Sequence, residues 1–215
     1  MMEQQMTHVW GLPAERVFED WANNPHTYLK AWDVPTTKSL HDVITKWLDN
    51  PKEHGWIFSG VVGNGKTSLA VAIARELWTN KWNIHFVTGH ALQAKITTIA
   101  ASRNSYKYGE EYQVFLDTYT HLKDDDWSRP KLLIIDDFGD LNMQDQHFTA
   151  LMMELYSAKA NLIITTNQAP TDWVSMDARV FSRLAEQLTI LPFTGTDYRK
   201  HKPAEGAVVV PITAG

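Results

Sequence analysis

The octapeptide GVVGNGKT, residues 60–67, limits what this chain can fold into more than any other stretch. It fits the G-x-x-x-x-G-K-[ST] pattern, in which a backbone loop wraps a phosphate group. Gly60 and Gly65 let the chain turn tightly enough for successive backbone N–H groups to converge on one point. The apolar run GWIFSG precedes the loop, and KTSLAVAIARELW follows it at helical spacing. A strand–loop–helix unit is therefore expected, with the positive end of the helix aimed at the anion. Lys66 is expected to reach the β- and γ-phosphates of a bound nucleotide, and the Thr67 hydroxyl to bind Mg²⁺. The candidate nucleotide-binding set is Gly60, Val61, Val62, Gly63, Asn64, Gly65, Lys66, Thr67 and Ser68.

Four more short apolar runs, NIHFVTG, KLLIID, NLIITTN and LTILPF, are separated by helical stretches. These are HALQAKITTIAAS, QHFTALMMELYSA and TDWVSMDARVFSRLAEQ. Strands that are apolar without alternation belong in a parallel sheet covered on both faces, joined by right-handed crossovers. The expected fold class is α/β, a three-layer P-loop NTPase domain with a five-stranded parallel sheet over residues 49–202. Residues 1–48 form an expected helical extension, in which Leu40, Val43, Ile44, Trp47 and Leu48 share one amphipathic helix. Residues 203–215 are a tail.

The 215 residues, 44% of them hydrophobic, suffice to bury a proper core. No apolar stretch approaches the ~20 residues needed to span a bilayer, and the N-terminus lacks the pattern of a secretory signal. With no cysteine, disulfides and zinc ribbons are excluded. A cytoplasmic location is expected. The net charge of −5 means that nucleic-acid contact must come from a local patch or an assembled ring.

KLLIID ends in Asp136, followed by Asp137. Ligands of open parallel sheets bind beyond the carboxyl ends of the strands. Asp136 is thus a candidate for holding Mg²⁺, and Asp137 for orienting or deprotonating the attacking water. The alternative is a turn or cap, where Asp is common. Thr165, Thr166 and Asn167 close the next strand, and Asn167 is a candidate to hold that water or sense the γ-phosphate. Further on, Arg179 and Arg183 stand one helical turn apart, within reach of Asp177 and Glu186 as ordinary surface pairs.

In this order, GVVGNGKT, LLIIDDFGD, IITTNQAPTDW and RVFSRL resemble the AAA+ ATPases. The resemblance is to the DnaC/DnaI-type helicase loaders and IstB-type transposition ATPases, over about residues 50–200. It implies ATP hydrolysis with Lys66, Asp137, Asn167 and Arg183 as catalytic residues. Arg183 matches the arginine finger, which reaches the γ-phosphate of a neighbouring subunit, so a homo-oligomer is expected when ATP is bound. Arg179 also matches an arginine of that motif. As in the loaders, no full C-terminal lid is expected.

The resemblance further implies single-stranded DNA and a replicative helicase as partners, with duplex DNA and a transposase as the alternative. In the loaders an extra helical element between the second and third strands binds DNA. Here that interval offers Lys95, Arg103 and Lys107 interleaved with Tyr106 and Tyr108, cations for phosphates and rings for bases. Residues 124–126, all aspartate, would face away from DNA, and residues 197–202 form a second basic patch. Phe18, Trp21 and Trp32 are candidate anchors for a protein partner. A stand-alone P-loop kinase is the remaining alternative. It would need a mobile lid with catalytic arginines and an acceptor pocket.

Overall fold

The computed structural model describes residues 47, 55–104, 107–120, 130–169, 172–173 and 176–193. The extension before residue 47, Tyr106, the aspartates at 124–126, the basic patch at 197–202 and the tail lie outside them.

Five strands form one sheet in the order β2-β3-β4-β1-β5. They are β1 (Gly55–Gly60), β2 (Asn83–Thr88), β3 (Lys131–Asp136), β4 (Asn161–Thr166) and β5 (Leu188–Phe193). All four pairings are parallel. Position in the sheet follows burial of the sequence. The inner strands β1, β3 and β4 are buried along nearly their whole length, while the edge strands β2 and β5 leave several residues exposed or half-buried.

Helices α1 (Lys66–Thr79), α2 (Gly89–Ala101), α3 (Tyr108–Thr120), α4 (Gln146–Ser157) and α5 (Ala178–Gln187) cover the sheet. Side chains alternate between its two faces, as strand geometry requires. Phe58, Leu132, Ile134 and Ile163 pack with α1 and Trp47. Ile57, Leu133, Ile135 and Ile164 pack with α2, α3, α4 and α5. Each strand is thus a single apolar run because it feeds two cores at once.

The helix boundaries follow local capping. Thr88 caps α2 by accepting the Ala91 N–H. Asp145 caps α4 by accepting the N–H groups of His147 and Phe148. The last helix departs from the expectation of a helix over 171–187. It begins at Ala178, where the Asp177 carboxylate accepts the Arg179 N–H. An N-cap carboxylate satisfies donors that a helix begun further upstream would already have used, and so sets the start. The interval between β2 and β3 holds α2, a short 3₁₀ turn (Ser102–Asn104) and α3.

Candidate nucleotide-binding site

The loop from Gly60 to α1 lies beyond the carboxyl end of β1, beside the ends of β3, β4 and β5. Gly65 has φ 94, a conformation open to glycine and strained for other residues. At Gly60 a Cβ would stand 2.1 Å from the Phe193 carbonyl oxygen, so only glycine lets the loop base touch the end of β5. Lys66 is the first residue of α1 and is buried. Its ammonium donates to the carbonyls of Gly60 at 2.8 Å and Val61 at 2.7 Å, and to Asn64 Oδ1 at 3.1 Å. A buried cation needs such partners. Val61 and Val62 expose about half their surface, 52% and 49%, at the tip of the loop.

Thr67 and Asp136 meet across the site. The Thr67 hydroxyl donates to Asp136 Oδ1 at 2.8 Å, and the Thr165 hydroxyl donates to the same oxygen at 2.5 Å. Burial pushes the Asp136 carboxyl above the ordinary carboxylate range. The two hydroxyls pull it back, Asp137 pushes it up, and Lys66 pulls it down. Asp137 is left-handed, with φ 52 and ψ 52, a conformation that Asp tolerates better than most residues. Its N–H donates to Thr165 Oγ1 at 3.0 Å. Paired hydroxyl and carboxylate oxygens at a helix start and a strand end fit a hard cation such as Mg²⁺.

Thr165 is the residue that the sequence reading left without a role. Its signal was visible: a hydroxyl at the end of a fully buried strand is costly unless bonded. Asn64 belongs to the loop, and its Nδ2 donates to the Phe193 carbonyl at 2.8 Å. Asn167 is exposed just past β4. It stands between Thr166 and Gln168, whose backbone N–H and carbonyl bond Thr166 Oγ1 and Ser59 Oγ at 3.1 and 3.0 Å.

The two arginines are held elsewhere. Arg183 donates to the Met153 thioether at 2.9 Å and lies 5.0 Å from the centre of the Tyr156 ring, both on α4. Arg179 is exposed and forks onto Asp177, with Nη2 to Oδ2 at 2.7 Å. That ordinary surface pairing is realised for Arg179, whereas Arg183 stacks on a ring.

The cations proposed for DNA lie along α2, the 3₁₀ turn and the start of α3, and all three are exposed. Lys95 stands 5.4 Å over the Tyr119 ring, in a groove that Glu110 and Glu111 also line. Tyr108 is not a free stacking ring. Its hydroxyl bonds His147 Nε2 at 2.7 Å and its ring stacks on Tyr112. No helix among the described residues is long and apolar enough to cross a membrane.

The chain is similar to several known proteins. The ATP-binding protein of insertion sequence IS5376 from Geobacillus stearothermophilus is 24% identical over 170 residues, covering 75% of this chain and 61% of that protein. The crystal structure of the DnaC helicase loader superposes with a TM-score of 0.56 at 21% identity, over 78% of this chain and 98% of that one. Replication initiator DnaA, solved with AMPPCP and single-stranded DNA, gives 0.57 at 18% identity, over 81% of this chain and 51% of that one. At such identities the likeness shows the fold alone, an α/β P-loop NTPase fold. The chain spans between 25% and 61% of the length of the curated relatives it matches. The profile of IstB-like ATP binding proteins matches residues 2–206, nearly the whole chain, and the chain belongs to that family.

Proposed function

We propose that this chain is an ATP-hydrolysing protein of DNA replication, of the helicase-loader kind, that assembles head to tail when it holds Mg²⁺–ATP. One observation carries the reading most directly. The hydroxyl that opens α1 and the carboxylate that closes β3 meet at 2.8 Å beside a phosphate loop. Structural turns have no use for that pair, whereas a nucleotide with its cation does.

In this reading the loop residues 60–68 wrap the phosphates with backbone N–H groups, and Lys66 leaves its carbonyl partners for the β- and γ-oxygens. Thr67 and Asp136 hold Mg²⁺, whose charge would offset that of the phosphates when bound. Asp137 takes or orients the proton of the attacking water, and Asn167 keeps that water in line. Arg183 serves the neighbour's nucleotide, since its bonds run to α4 and not to its own loop. A guanidinium in that role is worth ~10³–10⁵ in rate. Residues 49–202 act as the ATPase core, and residues 1–48 are left for a partner such as a replicative helicase.

The family match and the insertion-sequence relative favour a second reading, in which the assembly forms on duplex DNA and recruits a transposase. Fluorescence anisotropy separates the two. With a non-hydrolysable ATP analogue, the loader reading expects a labelled single strand to bind at least tenfold more tightly than the same sequence as duplex. Preference for the duplex would overturn it in favour of the transposition reading. Loss of binding in Lys95→Ala/Arg103→Ala/Lys107→Ala would assign the contact to the α2–α3 element.

A further inference from the structure

Arg183 and Glu186 lie three residues apart on α5, a spacing at which a cation and a carboxylate on a helix surface ordinarily pair. Here they do not. Glu186 Oε2 accepts instead from the Tyr156 hydroxyl on α4, at 3.1 Å. The ring of the same tyrosine lies 5.0 Å from the Arg183 guanidinium. Met153, one turn earlier on α4, accepts from Arg183 Nη1 through its sulfur at 2.9 Å. Among the described residues Arg183 thus meets a ring face and a thioether but no carboxylate. Arg179 shows the contrast, because Asp177 takes its fork through Nε at 3.0 Å and Nη2 at 2.7 Å. A guanidinium carries five N–H donors, and a thioether is a weak acceptor. Arg183 therefore keeps its charge and most of its donors for an anion from outside the chain.

We propose that Tyr156 is a positioning residue for Arg183: its hydroxyl holds Glu186 off the guanidinium while its ring supports the guanidinium from α4. The inference rests on the reading above in which Arg183 serves a neighbour's nucleotide. A carboxylate paired to that arginine would offset the charge it brings to the phosphoryl oxygens, and would have to be displaced at each encounter. Tyr156 removes this competitor beforehand. Because Tyr156 and Glu186 bond each other and not the phosphate loop, the effect falls on the hydrolytic step and not on the subunit's own hold on ATP.

Steady-state phosphate release by the full chain, measured across ATP concentrations, tests this. Tyr156→Phe keeps the ring and removes the hydroxyl, which releases Glu186 to pair with Arg183. Its kcat should fall about threefold, the worth of an exposed ion pair, with KM for ATP unchanged. Glu186→Gln removes the charge but keeps an oxygen for the hydroxyl, and alone it should leave kcat near the wild-type value. In Tyr156→Phe/Glu186→Gln the loss should be reversed, which a mere packing defect at Tyr156 would not allow. A wild-type kcat in Tyr156→Phe, or a loss that Glu186→Gln does not reverse, overturns the inference. Arg183→Ala separates that failure from failure of the reading beneath it. If Arg183→Ala hydrolyses ATP as fast as wild type, the arginine has no part in the reaction, and the reading and the inference fall together. If it is slow while Tyr156→Phe is not, only the inference falls.

Discussion

Asp136, the residue proposed to hold the cation, sits at a cost to the fold. Its raised pKa has a definite sign. The unfolded chain releases this proton near 3.8, whereas the folded chain holds it to higher pH. Between those values the folded state binds more protons, so this group's contribution to stability declines as pH rises through the window. Burial there disfavours the charged form of the carboxylate. Asp136→Asn keeps an oxygen for the Thr67 and Thr165 hydroxyls and removes the charge. It should therefore raise the melting temperature, by about 2–4 °C for ~1 kcal/mol in a chain this long, while abolishing Mg²⁺-dependent ATP hydrolysis. Scanning calorimetry beside a phosphate-release assay checks both halves, and a lower melting temperature would refute the electrostatic argument. The carboxylate was legible in the sequence because a buried apolar strand ended in it. Its partner Thr165 lies 29 residues away, on a strand that becomes adjacent only in the folded sheet.

At the scale of elements, α3 is fastened by a seam of rings at helical spacing. Tyr108 stacks on Tyr112, Tyr112 on Phe115, and Phe115 meets Tyr119 edge-on. Tyr119 in turn meets His85 of β2. The alternation of tyrosines with cations suggested base stacking, but spacing alone cannot separate a face that meets DNA from one that meets the protein's own α4. His147, which takes the Tyr108 hydroxyl, is 39 residues distant. The strand order and the start of α5 show the same divide. Apolar runs reveal strands, while the beginning of a helix depends on one cap, Asp177, that the periodicity does not mark. The seam also predicts an acid response. Burial, then the charge of Lys95, lowers the His85 pKa from 6.5 to about 4. The folded state thus holds His85 neutral where the unfolded chain would protonate it. Its contribution is full above pH 6.5 and lost as pH falls toward 4, at up to about 1.4 kcal/mol per unit. Urea titrations at pH 7 and pH 5 should show this loss in wild type and a smaller one in His85→Phe, which keeps the ring contact. Equal losses in the two proteins would remove His85 as the cause.

For the whole molecule, the loop, the paired oxygens of Thr67 and Asp136, and the strand-end residues gather at one edge of the sheet. Arg183 is anchored instead to α4. The family's phosphate loop was readable from eight consecutive residues, because its chemistry is local. The role proposed for Arg183 comes only from resemblance, since a cation whose target lay on another subunit would leave no mark in its own chain's contacts. Mixing two inactive proteins tests the central claim most directly. Lys66→Ala should bind no nucleotide, and Arg183→Ala should bind normally but hydrolyse ~10³-fold or more slowly. In a mixture, an Arg183→Ala site facing the intact arginine of a Lys66→Ala neighbour becomes complete. Phosphate release, measured for each protein alone and for equal mixtures, should therefore reappear only in the mixture. Mixtures that co-assemble by light scattering yet release no more phosphate than their components would contradict a site completed between subunits.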